Sequence, residues 1–467
     1  MSGFEILDNG RAAFVMRAAL ADAAERSIDL QYYSAGDDLT STLLLQRIVA
    51  AADRGVRVRI LLDDMQPSTR VFARRAMAAH AGIEVRVFNP FLSGTSNVAR
   101  LGEFLVDGAR LNRRMHNKLW LTDNSVAVAG SRNLGDEYFD SNASFNLLDV
   151  DVLAVGPVVQ ALSKAFDVYW NSAVAIRLDA LVGMPEAGDR AAARRDLQAR
   201  TAGCAARPPC QWLAERELQP LLRAQDLPLS WARAEVIVDP PEHAKIAPNA
   251  GIAHGATHDH PGGDHAETEV LIVSPYFVPD ADLHGHVSAL RERGVRVAVL
   301  TNSLASVDVP SAHAGYARHR PALLHEGVEL YEVRPKSGAM VRRRLVQRWG
   351  HASAASLHAK VIVQDRARVS VGSVNQDPRS RLHNTEQCIV IESAGMAAQL
   401  SALFDEATDP QEAFRVELRS TGERGDALRW TTQDGDEVIR YDTEPLSTAW
   451  QRLWRGILGA VIPEHDL

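Results

Sequence analysis

Four short segments of this chain recur in the same order and at nearly constant spacing, and no other feature constrains the fold as much. Arg54-Gly55-Val56-Arg57-Val58 returns as Arg293-Gly294-Val295-Arg296-Val297, and His80-Ala81-Gly82-Ile83-Glu84-Val85 as His325-Glu326-Gly327-Val328-Glu329-Leu330. His116-x-Lys118 returns as His358-x-Lys360, and Gly130-Ser131-x-Asn133 as Gly372-Ser373-x-Asn375. The separations are 239, 245, 242 and 242 residues, so the 467-residue chain is one unit used twice rather than a solenoid of short repeats.

Each unit alternates strand and helix patterns. Residues 27–33 carry the β-branched and aromatic content of a strand, 40–52 have helical apolar spacing, and 56–62 are strand-like again. In the second unit, 270–273, 283–292 and 295–300 repeat that sequence of elements. The pattern predicts an α/β fold of βαβ halves with a largely parallel, buried sheet, the halves related by a pseudo-two-fold axis. Expected boundaries are 1–180 for the first half (motif region 110–137), 181–266 for a connecting region, and 267–467 for the second half (motif region 352–379). Within the connection, residues 239–266 are rich in Pro, Gly, Ala and His and read as a surface linker. Its His254, His258, His260 and His265 show no fixed ligand geometry, so no metal is assigned to them.

The repeated residues make a chemical cluster. Both motifs read His-x-Lys-x4-Asp, over 116–123 and 358–365, and residues two apart on a strand share a face. Turn-forming residues at 123–125 and 365–367, followed by apolar runs, make each motif a β-hairpin. Counting back from the turns sets His116 opposite 130–133 and His358 opposite 372–375. Each His-Lys pair then meets a serine hydroxyl, an asparagine amide and a glycine backbone, a donor set suited to one phosphate. Singly, such a pair is ordinary strand decoration. Two copies, each at the same distance from the same Gly-Ser-x-Asn, point to a paired catalytic site.

Composition excludes some classes. Hydrophobic residues at 46% and charged residues at 24% describe a chain with a sizeable core. A formal net charge of −8 without a basic run argues against a nucleic-acid partner. Cys204, Cys210 and Cys388 lack zinc-ligand spacing, and the first two read as free thiols. No apolar run reaches the roughly 18–20 residues of a membrane span, and residues 1–14 lack a signal-peptide pattern.

These motifs resemble the phospholipase D superfamily, whose signature is the duplicated His-Lys-Asp with a downstream Gly-Ser-x-Asn. More narrowly, RRMHNK (113–118), GSRNLGDEYF (130–139), SPYFVP (274–279), TNSLASVDVPSAHAGY (301–316) and GSVNQDPRSRLHNTE (372–386) are similar to the short bacterial cardiolipin synthases that lack N-terminal transmembrane helices. The resemblance implies the phospholipase D fold, no cofactor and no metal. It implies a covalent phosphohistidine, with His116 as nucleophile and His358 as general acid, although the symmetric sequence does not itself order them. Lys118, Lys360, Asn133 and Asn375 would stabilise the phosphate oxygens, supported by Ser131 and Ser373. A carboxylate beyond each Gly-Ser-x-Asn would hold the second nitrogen of each histidine: Glu386 for His358, and Asp149, with Asp151 as rival, for His116. Asp123 and Asp365 complete the catalytic motif but sit at turns, where they read as structural and paired with basic side chains.

The implied substrates are phospholipids: phosphatidylglycerol, with phosphatidylethanolamine as a second donor. The implied location is the surface of a bacterial envelope or inner membrane, with any protein partner unknown. The Trp- and Arg-bearing stretch 449–462 suits an interfacial helix or one packed on the core, and Tyr138-Phe139 and Tyr276-Phe277 suit either an acyl-chain entrance or interior packing. Rival readings are a phospholipase D releasing phosphatidic acid, a nucleic-acid phosphodiesterase, and a non-catalytic lipid-binding module.

Overall fold

The computed structural model describes residues 1–93, 97–215, 227–244, 266–335, 354–420 and 426–461. The four linker histidines lie outside these residues.

In chain order the strands are β1 (Ser2–Leu7), β2 (Ser27–Tyr32), β3 (Arg57–Asp63), β4 (Ile83–Phe88), β5 (Leu119–Thr122), β6 (Val126–Gly130), β7 (Phe145–Leu148), β8 (Asp151–Val155), β9 (Ala175–Arg177) and β10 (Ser230–Val238). They continue as β11 (Glu269–Val273), β12 (Arg296–Asn302), β13 (Glu329–Val333), β14 (Ala354–Leu357), β15 (Val361–Gln364), β16 (Arg368–Gly372), β17 (Gln387–Glu392), β18 (Ala413–Ser420), β19 (Asp426–Asp434) and β20 (Glu437–Tyr441). Pairing runs β9-β4-β3-β2-β5-β6-β8-β1 in the first half and β10-β17-β16-β15-β11-β12-β13-β18-β19-β20 in the second.

The two halves join where β1 meets β10 antiparallel, Gly3 opposite Trp231, at the pseudo-two-fold axis. Here β10 flanks β17 as β1 flanks β8, so residues 230–238, expected in the connecting region, give the second half its counterpart of β1. Within the large sheet the expectation of largely parallel pairing holds only for β2–β3–β4 and β11–β12–β13. The strands after each motif return through tight turns and therefore pair antiparallel.

Three apolar cores follow from this layering. The helices Gly10–Ala23, Leu39–Asp53 and Pro67–Ala79 cover the outer face of the first half, and Ala281–Glu292 with Pro310–His325 cover that of the second. A central core draws on both halves, from Phe4 and Leu119 to Val361 and Ile391, with the helices Pro157–Trp170 and Ala394–Ala407 packed into it. The motif strands are thus buried on both faces, and their catalytic ends meet between the halves.

Cys204 and Cys210, read from sequence as free thiols, form a disulfide with a Cα–Cα distance of 6.0 Å. The 3-10 turn Cys204–Ala206 running into the helix Pro208–Ala214 brings them together. No helix of the described residues is long and apolar enough to cross a membrane.

Candidate active site

Each motif is a hairpin with a left-handed turn. Leu119 pairs with Ala129 and Thr122 with Val126, while Asp123 and Asn124 both have φ 54°. In the second motif Val361 pairs with Val371 and Gln364 with Arg368, with Asp365 at φ 51° and Arg366 at φ 50°. Two left-handed central residues make each a β-turn of the type I′ kind, closed by Ser125 N–H on Thr122 O at 3.0 Å and Ala367 N–H on Gln364 O at 2.9 Å.

The turn aspartates stand at the far end of the hairpins from the histidines. Asp123 accepts hydrogen bonds from the backbone N–H groups of Glu25, Arg26 and Ser27 at 2.9, 2.7 and 2.8 Å. Asp365 does the same for Glu267, Thr268 and Glu269. They pair with backbone, not with the basic side chains expected, and they pin the motif hairpin to the start of β2 or β11. Asp123→Ala should therefore lower stability by about 1–3 kcal/mol in urea unfolding while leaving turnover per folded molecule unchanged.

Gly130 and Gly372 explain the glycine of Gly-Ser-x-Asn. A Cβ on Gly130 would lie 2.6 Å from the Asp151 Cα, and one on Gly372 2.6 Å from the Cys388 Cα, so neighbouring strands approach too closely for any side chain.

The histidine–carboxylate pairs are crossed between the halves. His116 Nδ1 lies 2.9 Å from Glu386, and His358 Nδ1 lies 2.7 Å from Asp149. This reverses the pairing expected from sequence. Backbone contacts cause the exchange: His116 N–H donates to Thr385 O at 2.9 Å, and β14 runs parallel to β7 so that His358 N–H donates to Leu148 O at 2.8 Å. The residue before each histidine's acid is therefore fixed against that histidine's own strand. Asp151, the rival to Asp149, is engaged by Arg17 at 2.8 Å and Arg132 at 3.4 Å and is no partner of either histidine.

Ser131 Oγ donates to Asp149 and Ser373 Oγ to Glu386, so both serines hold the acids. Lys118 Nζ donates to the His116 carbonyl, and Lys360 Nζ to the His358 carbonyl at 2.6 Å, folding each lysine back over its own histidine. Asn133 Nδ2 donates to Tyr138 Oη at 2.9 Å, while the Asn375 amide oxygen has no hydrogen-bond partner among the described residues. His116 and His358 keep 8% and 6% of their surface exposed, and both acids keep none, so the rings alone are reachable from outside.

Tyr33 was missed as a site residue, and Tyr138, read from sequence as lining an acyl-chain entrance or packing inside, stands against a histidine instead. Each meets a histidine edge to face at 5.3 Å, Tyr33 on His116 and Tyr138 on His358. Tyr33 directly follows β2, a position visible in sequence once the strand is placed. The adjoining Phe139 and Phe277 are interior side chains, 0% and 1% exposed.

The electrostatics separate two otherwise symmetric dyads. Burial, then Lys118 and Lys360, drive His116 well below the ordinary imidazole range. Burial also lowers His358, but the Asp149 carboxylate opposes this. Burial works to raise Asp149, yet His358, Arg132 and Lys360 together hold it below the usual carboxylate range. Burial pushes Glu386 up to about 7 despite Lys118. The Asp149 carboxylate is thus held ionised, while Glu386 stands close to its protonation midpoint at neutral pH. Burial lowers both lysines, Lys360 to about 8.

One other buried His/Glu group, His313, Glu332 and Glu444, stands among the described residues. The Arg320 guanidinium already fills the space between them, 2.7 Å from His313, 3.0 Å from Glu332 and 2.7 Å from Glu444.

Comparison with known proteins agrees with this architecture. The family described as "Cardiolipin synthase, PLD-like domain" matches residues 18–170 and 264–408. Cardiolipin synthase C of Escherichia coli K12 is 36% identical over 454 residues, covering 96% of this chain and 92% of that protein. Cardiolipin synthase A of Pseudomonas putida is 24% identical over 429 residues, covering 88% and 72%. Phosphatidylserine synthase of Haemophilus influenzae Rd KW20 shares the fold with a TM-score of 0.62 at 12% identity, covering 99% of this chain and 95% of that one. With its duplicated His-Lys hairpins meeting in one phospholipase D fold, the chain belongs to the cardiolipin synthase family of phospholipase D-like enzymes.

Proposed function

We propose that this enzyme makes cardiolipin by moving a phosphatidyl group onto phosphatidylglycerol through a covalent phosphohistidine. The observation that carries the reading is the pair of crossed histidine–carboxylate dyads beside two buried lysines, in a chain that aligns nearly end to end with a cardiolipin synthase.

The asymmetry gives the histidines different work. His116, kept neutral, presents an Nε2 lone pair while Glu386 accepts from Nδ1–H. Attack on the donor phosphorus forms the N–P bond as the P–O bond to the leaving alcohol breaks. His358, whose protonated form Asp149 favours, gives that alcohol its proton. In the second step His358 takes a proton from the incoming hydroxyl, the new P–O bond forms, and the P–N bond to His116 breaks. Lys118 and Lys360 stabilise the charge on the non-bridging oxygens throughout, with Asn133 and Asn375 beside them. Exchange of one phosphodiester for another is close to thermoneutral, so the product depends on which hydroxyl reaches the intermediate.

A lipid substrate requires contact with a bilayer surface, and two helices supply apolar faces for it. Ala449–Val461 exposes Trp450 (62%) and Leu453 (54%), and Asn97–Leu111 exposes Val98 (81%), Leu105 (78%) and Val106 (90%). The second helix ends five residues before His116, which supports a reaction carried out beside the membrane surface.

Product analysis tests this reading. Intact protein incubated with phosphatidylglycerol vesicles, with and without phosphatidylethanolamine, should yield cardiolipin. Phosphatidic acid as sole product would make it a hydrolase on the same site, and no product from either lipid would reject the reading.

A further inference from the structure

The two halves differ in how they pack behind the catalytic strands. In the first half Phe88 ends β4, and Tyr169 lies in the helix Pro157–Trp170; their rings meet at 5.7 Å and are 0% and 1% exposed. Tyr169 Oη also donates to the Asp239 carbonyl at 2.6 Å, which fixes that ring in place. In the second half Val333 ends β13 as Phe88 ends β4. The run Phe166-Asp167-Val168-Tyr169 recurs as Phe404-Asp405-Glu406-Ala407. Val333 and Ala407 thus stand where the aromatic pair stands in the other half.

The missing ring volume is open. An apolar cleft, open in part to solvent, is lined by Val333, Leu357, Ala359, Leu400, Phe404 and Ala407. The charged residues in its wall are Arg334 and Glu412, both half-buried. Asn89 and Val174 hold those places in the first half, since Asn89 N–H donates to Val174 O as Arg334 N–H donates to Glu412 O. An unfilled apolar space forfeits dispersion contacts, which an apolar guest restores. A cleft lined by hydrocarbon with two charged residues in its wall matches a long apolar chain that ends in a polar group.

The position relative to the chemistry is fixed by strand alternation. Leu357 and Ala359 turn into the cavity while His358 between them turns to the site, and Leu148 and Val150 do the same on either side of Asp149. We propose that this cavity receives one acyl chain of a membrane phospholipid, seated a single strand layer behind the His358–Asp149 dyad. The proposal goes beyond the transfer reaction, and its test needs no turnover.

The full chain is irradiated on phosphatidylglycerol vesicles in which a fraction of the lipid carries a diazirine midway along one acyl chain, and the adducts are mapped by peptide mass spectrometry. Adducts are expected on the peptides bearing Val333 and Ala407. Val333→Phe with Ala407→Tyr, which restores the first half's aromatic pair, should cut those adducts at least tenfold while adducts on Ala449–Val461 and the thermal midpoint hold. Should the double variant not fold, Ala407→Leu alone should give a several-fold loss. Absence of these adducts in the unaltered protein, or an equal yield after filling, would overturn the proposal. So would labelling of the cavity by a free diazirine fatty acid but not by the vesicle lipid. Because labelling is read without product formation, failure of cardiolipin synthesis and failure of this proposal are distinguishable.

Discussion

Changing His116 to alanine is expected to abolish phosphatidyl transfer, with a loss of roughly 10^4-fold or more, the scale reached when a covalent nucleophile is removed. The diagnostic result is the fate of the phosphorus. Brief incubation with phosphatidylglycerol labelled in its phosphate, followed by denaturing quench, should leave label on His116 of the unaltered protein and none on His116→Ala. His358→Ala should lose less, roughly 10^2–10^4-fold, because a general acid is removed rather than the bond-forming atom. Label recovered on His358 would reverse the roles. The expected order rests on the unequal environments: both rings are buried, but only His358 has a carboxylate that stays firmly ionised beside it.

Asp149→Asn should lower kcat by roughly 10^2–10^4-fold, although Asp149 lies in the first half and the histidine it serves in the second. A leaving group that needs no proton separates the dyads. With a p-nitrophenyl phosphodiester, Asp149→Asn and His358→Ala should recover phosphohistidine formation to within about tenfold of the unaltered rate, and Glu386→Gln should not. If Asp149 served His116, as repeat symmetry alone suggests, the rescued and unrescued variants would change places. The pH profile adds a second readout. Glu386, raised by burial to about 7, must be ionised to hold His116, so kcat/KM falls as pH drops through about 7. Lys360, lowered by burial to about 8, must be charged, so activity also falls as pH rises through about 8. Asp149→Asn should keep the acid limb, Glu386→Gln should erase it, and Lys360→Arg should leave an alkaline limb, because burial lowers Lys118 as well.

The sequence displayed what is local or repeated. The hairpins follow from turn chemistry at Asp123-Asn124 and Asp365-Arg366, and the two glycines mark strands that approach closely. The duplicated motif carried the fold and the family. The partner of each histidine was not legible, because the exchange depends on Thr385 and Leu148 meeting strands of the opposite half, contacts between residues more than two hundred positions apart. The turn aspartates invited charged partners, yet the nearest unsatisfied donors were backbone amides at the start of β2 and β11. The apolar face of Asn97–Leu111 was overlooked although its spacing is helical, and the cavity behind His358 emerges only when the halves are compared side chain by side chain.

The crossing of the two acids also sets the order in which this protein can acquire function. Neither pair exists in a chain that stops before residue 358, because His358–Asp149 and His116–Glu386 each join a residue made early in synthesis to one made late. A newly translated first half can fold around its own core while carrying a histidine with no carboxylate to aim it. Chemical competence therefore arrives as a single late event, the docking of one copy on the other. A substitution at 149 or 386 acts on the histidine of the opposite repeat, so the two copies are tied together at these four residues.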